Sequence, residues 1–349
     1  MLTLGIETSC DETAAAVVKG ARAIKSNVIA SQHDLHAEYG GVVPEIASRA
    51  HLERLVPVLT SALHKAGAEM SDIDAVAVGH RPGLIGALLV GVAAAKALAW
   101  SLRKPIVGVD HIEAHLFSPL MAREHAGRTE AETYPALGLV VSGGHTTTYL
   151  CRSPVELKRL GRTIDDAAGE AFDKAGSILG LEHPGGPKIE ALAREGDDRA
   201  IDFPVSRLTA DSLDFTFSGL KTAVLYAARG YPGGPAPPPL DDRRRADLAA
   251  SFQRAAIGQL VLKVGRALER LDSEAVAVQS LLIGGGVSAN QCLRAELQRL
   301  AERRSLALLL PPMDLCLDNA AMIAGLGARR LEAGLRDDLT LTAQPSAAA

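Results

Sequence analysis

Leu2-Thr-Leu-Gly-Ile-Glu-Thr-Ser-Cys-Asp-Glu-Thr-Ala-Ala-Ala-Val-Val18 decides the fold. Residues 2–9 alternate apolar with small side chains, the period-2 pattern of a strand, residues 13–18 continue as its antiparallel partner, and Ala23 to Ser31 supply a third strand. A sheet starts the chain. Ala136 to Val141 begins a second sheet-forming run that ends in Ser142-Gly-Gly-His145, so a second lobe repeats the first.

The remaining pattern fills in around these two runs. Pro44 to Ala66 has helical apolar spacing that Pro57 interrupts, Ala75 to Val78 is a short buried strand, and Gly83 to Leu102 is an apolar helix. That helix reads as core and not as a membrane span, because it lacks an aromatic belt and flanking charge asymmetry. Ile106 to Val109 is a strand feeding a helix at His111, with Asp110 placed to cap it. Helices are expected over Asp165 to Leu179, Pro187 to Arg194 with proline at its first position, Arg243 to Leu271, Asn290 to Glu302 and Asp318 to Glu332. Ser280 to Ile283 and Leu306 to Leu310 are strands. Tyr231 to Leu240, dense in Pro and Gly, is a surface loop near 231–240, and Gln344 to Ala349 is a frayed end.

With 349 residues and 47% hydrophobic content, the chain has enough material for two lobes with their own cores. A net charge of −4 gives no basic footprint of its own for nucleic acid. Arg243, Arg244 and Arg245 form a local basic run that is a candidate RNA contact, although such a run more often marks a solvated helix start. The four cysteines, Cys10, Cys151, Cys292 and Cys316, contain no C-x-x-C pair and fit a reducing compartment. The opening residues show no export signal, so a cytoplasmic location is expected.

Asp110-His-Ile-Glu-Ala-His115 places two histidines four residues apart, on one face of a helix, where both imidazoles reach one ion. The metalloprotease pattern His-Glu-x-x-His needs its glutamate one position after the first ligand. Glu113 is two positions on, turned about 200° round the helix, so a hydrolytic base is missing. Two helix histidines also serve as caps or packing, and a third ligand decides. Asp318-Asn-Ala-Ala-Met-Ile offers either an N-cap or that ligand, and a His, His and Asp set leaves coordination positions open and suits zinc or ferrous iron.

Three strand-to-turn junctions carry glycine or hydroxyl residues: Gly5-Ile-Glu-Thr-Ser-Cys-Asp-Glu-Thr, Val140-Val-Ser-Gly-Gly-His-Thr and Ile283-Gly-Gly-Gly-Val-Ser-Ala-Asn. Each lets backbone amides approach an anion, although turns of this kind also serve hairpin geometry alone. No P-loop and no G-x-G-x-x-G is present. Asp166, Glu170 and Asp173 fall at i, i+4 and i+7, a carboxylate stripe that is either a solvated face or a set of ribose acceptors beside Gly185-Gly-Pro. Asp173 and Gly186 are the candidates there.

Taken together, these segments with Gly40-Gly-Val-Val-Pro-Glu and Phe217-Ser-Gly-Leu-Lys-Thr resemble, over roughly Leu4 to Gly334, the TsaD family of tRNA N6-adenosine threonylcarbamoyltransferases, which also occurs in KEOPS complexes. The resemblance implies an α/β, two-lobed, actin-like and sugar-kinase-like ATPase (ASKHA) fold, with duplicated mixed-sheet lobes and a ligand cleft between them. The N-terminal lobe is expected at 1–109 plus about 325–349, and the C-terminal lobe at 110–324. One divalent metal, iron(II) or zinc, is expected on His111, His115 and Asp318. Substrate contacts are expected from Val140, Val141, Ser142, Gly143 and Gly144 around phosphate, from Asp173, Gly186 and Asn290 toward ribose and base, and from Glu190 as a further ribose contact. The implied reaction moves threonylcarbamoyl from threonylcarbamoyl-AMP to N6 of adenosine 37 in tRNAs reading ANN codons. Implied partners are tRNA, a TsaB-like scaffold and a TsaE-like ATPase, with no membrane; no residue is named as general base. Rival readings are a metalloendopeptidase, a non-catalytic scaffold paralogue and a kinase of the same fold. His80-Arg81-Pro82-Gly83 departs from the family's Gly-Pro-Gly, and Leu317 stands where a threonine is usual.

Overall fold

The computed structural model describes residues 1–346 apart from 40, 126, 206, 207, 210 and 236. In chain order the elements are β1 (Leu2–Glu7), β2 (Glu12–Lys19), β3 (Ala23–Ser31), α1 (His33–Ala37), α2 (Pro44–Ala66), β4 (Ala75–Arg81), α3 (Ile85–Leu102), β5 (Ile106–Asp110), α4 (His111–Phe117), α5 (Glu130–Thr133), β6 (Ala136–Val141), β7 (Thr146–Ser153), β8 (Glu156–Arg162), α6 (Ala168–Ile178), α7 (Gly185–Ala193), α8 (Ser218–Arg229), α9 (Asp242–Ser273), β9 (Ser280–Gly284), α10 (Gln291–Arg303), β10 (Ala307–Leu309) and α11 (Ala320–Glu332).

Two five-stranded sheets result, ordered β3-β2-β1-β4-β5 and β10-β9-β6-β7-β8. In the first, β1 pairs antiparallel with β2 and parallel with β4; in the second, β6 pairs antiparallel with β7 and parallel with β9. The repeat expected from the two strand-turn runs is therefore present in topology as well as in sequence. Alternation along β1 and β4 divides their side chains between two layers. Leu4, Ile6, Val76 and Val78 enter a core with Leu55, Val58 and Leu59 of α2 and Val92, Ala95 and Ala99 of α3. Gly5 and Ala77 face α11 instead, and a Cβ on Gly5 would collide with the Ala320 carbonyl oxygen and lie 2.8 Å from the Ala324 Cβ.

The chain divides into one unit of Met1–Arg128, Pro154–Glu156 and Leu310–Ala349, and another of Thr129–Ser153 and Leu157–Leu309. These limits differ from 109/110 and 324/325 because α4 and all of α11 pack with the first sheet. Gly325, for example, leaves only 2.8 Å between an added Cβ and the Phe117 ring.

Other local expectations are corrected by the structure. Helix α2 runs through Pro57, whose exposed position leaves the partnerless carbonyl at the preceding turn facing solvent. Helix α3 is not wholly core: Ala87, Leu88, Gly91, Val92, Ala95 and Ala99 are buried, whereas Leu89 and Trp100 are exposed. By length and composition alone it suffices to cross a membrane. Helix α6 starts at Ala168, so Asp166 lies outside it and the carboxylate stripe is not one helical face; Lys174 instead bridges Asp166 and Glu170. Pro187 is the third residue of α7, where its missing N–H still costs no hydrogen bond. Arg243 and Arg245 pair with Asp247 and Asp242, and the half-buried Arg244 donates to the Ala227 carbonyl of α8. The tail is held at Gln344, which donates to the His80 carbonyl, and at Pro345, which accepts from Gly83. Gly40 and Ala236, inside two quoted segments, and residues 347–349 lie outside the described residues.

Asp165 starts no helix but caps one. Its carboxylate accepts from the Thr216 and Ser218 hydroxyls, each at 2.6 Å, and from the Phe217 amide at 2.8 Å, at the start of α8. Burial alone would raise its pKa, but the bonds from Ser218, Thr216 and the two amides outweigh it and hold the carboxyl below its ordinary range.

Two outcomes are expected. Gly5→Ala costs about 1–3 kcal/mol, because backbone must move to admit the methyl, whereas Gly265→Ala in α9, where an added Cβ meets nothing, is neutral or stabilising in thermal unfolding. Equal melting temperatures would refute the close approach. Asp165→Ala costs about 1 kcal/mol at neutral pH. Because a depressed carboxyl contributes stability above its unfolded pKa and loses it as pH falls through the folded value, that gap narrows below about pH 4. A gap constant from pH 7 to pH 3 in urea titrations would contradict the cap.

Candidate functional site

Helix α4 begins where β5 ends because Asp110 binds on both sides of the junction. Its Oδ1 accepts from the amides of Ile112 at 2.9 Å and Glu113 at 3.3 Å, and its Oδ2 meets Arg81 Nε at 3.1 Å. The expected cap is therefore in place, and it sets His111 and His115 on one helical face with ring centroids 4.7 Å apart. Asp318 does not start the last helix. Asn319 caps α11, its Oδ1 accepting from Met322 N at 3.0 Å, so the Asp318 carboxylate is left to the histidines. Asp318 Oδ1 lies 3.1 Å from His115 Nε2 and 3.4 Å from His111 Nε2.

This triplet fits a metal ion. One ligand atom from each residue lies within 4.8 Å of the others. Donors about 2.1 Å from a tetrahedral ion stand about 3.4 Å apart, close to the 3.1 Å and 3.4 Å between Asp318 and the two histidines. Burial would raise the Asp318 carboxyl, but facing His111 and His115 holds it well below its ordinary value. Burial likewise opposes charge on His111, yet Asp318 and Glu7 lift its pKa well above the ordinary imidazole range. His115 is lowered, by burial and by His111 beside it. The two carboxylates thus favour positive charge at His111 more than at His115.

The surrounding groups narrow what else can bind there. Burial, Asp11 and Asp318 push the Cys10 thiol far up. Burial together with Asp11 and Asp318 pushes Glu12 up to about 8. Glu113 faces Arg330 at 3.9 Å, and burial with Asp110 raises it to about 7. It is turned away from the histidine pair, as the spacing implied.

In the second unit, the glycines in and against the strand-to-turn junctions separate into two kinds. A Cβ on Gly169 would lie 2.6 Å from the Ser142 carbonyl oxygen, and one on Gly285, whose φ is +91°, would collide with the Val141 carbonyl oxygen. Those glycines are required by packing. Gly143 and Gly144 are exposed and an added Cβ meets nothing within 4 Å, so packing within the unit does not demand them. Val140 and Val141 are buried behind the turn, and Ser142 Oγ accepts from His145 N at 3.1 Å.

The other candidates on this unit hold helix starts. Asp173 Oδ1 accepts from Gly185 N at 2.7 Å, next to Gly186. Asn290 caps α10 by accepting from Leu293 N at 3.0 Å and donates to Gln253 at 2.9 Å. Glu190 accepts from Gln291 N at 3.0 Å, which brings Glu190 and Asn290 together.

Sequence reasoning missed Glu7, Ser9 and Arg81. An acid ending the apolar run of β1 was a legible signal for Glu7; nothing in the sequence linked Arg81 to Asp110. Both departures from the family pattern are accommodated. His80 Nδ1 lies 3.1 Å from the Thr342 carbonyl oxygen, and Leu317 is exposed beside a ligand that keeps its place.

The sequence model described as "TsaD: tRNA N6-adenosine threonylcarbamoyltransferase" matches residues 23–325. A tRNA N6-adenosine threonylcarbamoyltransferase of Symbiobacterium thermophilum is 50% identical over 345 residues, covering 99% of this chain and 96% of that protein. One of Pelobacter propionicus is 50% identical over 341 residues, covering 98% and 95%. Among solved structures, HypF of T. kodakarensis aligns with TM-score 0.60 and 16% identity over 96% of this chain and 48% of its own. Component A of the (R)-2-hydroxyglutaryl-CoA dehydratase of Acidaminococcus fermentans aligns with TM-score 0.51 and 12% identity over 95% and 99%. These likenesses show the actin-like, sugar-kinase-like fold. With matches of this identity along nearly its whole length, the chain belongs to the tRNA N6-adenosine threonylcarbamoyltransferase family and is a transferase.

Proposed function

We propose that this chain transfers the threonylcarbamoyl group of threonylcarbamoyl-AMP to N6 of adenosine 37 in tRNAs reading ANN codons. The observation that carries the reading is the His111, His115 and Asp318 triplet, assembled from positions about 200 residues apart in a chain half identical to proteins of that name. The N6 lone pair attacks the carbamoyl carbon, the bond from that carbon to the phosphate oxygen breaks, and AMP leaves with the electron pair while N6 gives up one proton. Adenine N6 is a weak nucleophile, which is why the acyl group must arrive as a mixed anhydride.

His111, His115 and Asp318 would hold one divalent ion, zinc or iron(II), which supplies positive charge to orient and polarise the oxygens of the acyl donor. Ser142, Gly143 and Gly144 are assigned to the phosphate, its developing charge taken by the Gly143 and Gly144 amides, with the Ser142 amide bonded to the His145 carbonyl and Val140 and Val141 fixing the turn behind them. Asp173, Gly186 and Asn290 are assigned to ribose and base, with Glu190 beside them. Family membership supports tRNA as acceptor, a TsaB-like scaffold and a TsaE-like ATPase as partners, and the cytoplasm as location. Glu113 gives the peptidase reading no support, since its carboxylate is engaged toward Arg330.

The test is nucleoside mass spectrometry of tRNA incubated with threonylcarbamoyl-AMP, the partner proteins and this chain. Threonylcarbamoyladenosine is expected with the wild type, and none above background with His111→Ala/His115→Ala or after chelation, while circular dichroism stays unchanged. Product from the metal-stripped double variant would sink the proposal.

A further inference from the structure

The two histidines of the triplet are not equivalent. His115 Nδ1 is buried without a hydrogen-bond partner. His111 Nδ1 lies 3.2 Å from Glu7 Oε2 and 3.2 Å from Ser9 Oγ. Glu7 is wholly buried, and among the described residues His111 is its only ionic partner. Its other oxygen, Oε1, accepts from the Ser9 amide at 2.5 Å. On the neighbouring strand β4 stands Gly79, where an added Cβ would lie 2.5 Å from Glu7 Oε2, so the space for this carboxylate exists because residue 79 has no side chain.

A carboxylate only accepts, so the neutral His111 ring facing it must carry its hydrogen on Nδ1. Nε2 then presents its lone pair toward Asp318, as ligation requires. We infer that Glu7 is a positioning residue for the metal site: it fixes the tautomer and ring plane of His111, with Ser9 bracing the carboxylate and Gly79 leaving room for it. The inference rests on the metal reading of the triplet. Orienting groups of this kind behind a ligating histidine change metal affinity by about 10- to 100-fold.

Glu7→Gln makes the case sharp. The amide oxygen is needed by the Ser9 amide, which turns the NH2 toward His111 Nδ1 and favours the tautomer with hydrogen on Nε2, the wrong one for ligation. Gly79→Ala keeps the acid but pushes its carboxylate aside. The experiment titrates metal-free full-length chain with zinc against a chromophoric chelator, and follows the zinc-loaded ring by ¹⁵N-histidine NMR. Wild type is expected to bind one ion per chain with an Nδ1–H signal for His111. Both variants are expected to bind about 10- to 100-fold more weakly with unchanged circular dichroism. Equal affinities for wild type and both variants would overturn the role of Glu7 while leaving the metal site intact. No binding by wild type would overturn both, as would an Nε2–H signal for the wild-type ring overturn the tautomer assignment.

Discussion

The close approach of α11 to β1 at Gly5 is the constraint on which the first unit depends. Only a residue without a Cβ lets the Ala320 carbonyl lie over the strand, and that contact fixes where the chain stands two residues earlier, at Asp318. The same strand ends in Glu7. One packing contact therefore sets both the acid behind His111 and the acid in front of it, with the imidazole held between two carboxylates from distant parts of the chain. Gly327 over Ala77 and Gly325 over Phe117 extend the seam, so the helix lies flush on β1, β4 and α4 and cannot shift without breaking several glycine contacts.

Burying the Glu7 carboxylate and two imidazoles, with the part-exposed Asp318 against them, costs desolvation that their mutual attraction only partly returns. In the metal-free chain Glu7 and Asp318 favour a proton on His111, which faces both at once. An ion supplies the same positive charge and replaces that proton, so binding is coupled to proton release. His115 is already held neutral by burial and needs no such exchange. Built this way, the triplet is poised toward a cation, and the unpartnered Nδ1 of His115 is tolerated at the one ligand without an acid behind it.

How much of this was legible in the sequence depended on the range of the interaction. Period-2 alternation gave both opening strands, and the i, i+4 histidines with Asp110 ahead of them gave a helix that starts where it does for a local reason. Helix starts were misplaced where a long-range contact took over the capping. Asp318 looked like a cap, but Asn319 has the role because Asp318 is drawn to histidines some 200 positions away. Asp165 looked helical, but it caps α8, 50 residues on. Pro57 looked like a break, and only its outward position made it harmless. The compact units have other limits than 109/110 and 324/325 for the same reason: α4 and α11 are held by packing on the first sheet, which no local pattern records.

Arg81 shows how a departure from a family pattern can be absorbed beside a charged site. Asp110 is buried and immediately precedes His111 in the chain. Its Oδ1 is occupied by the two amides of α4 and its Oδ2 by the Arg81 guanidinium. With both oxygens engaged, Asp110 acts as a cap and anchor and not as a ligand. Glu113 is removed from competition in a different way: burial and the Asp110 charge favour its protonated form, and Arg330 draws it to the far side of the helix. Of Glu7, Asp110, Glu113 and Asp318, the acids on and around α4, only Asp318 has an oxygen near both imidazoles, and that selection defines the site as two nitrogens and one oxygen.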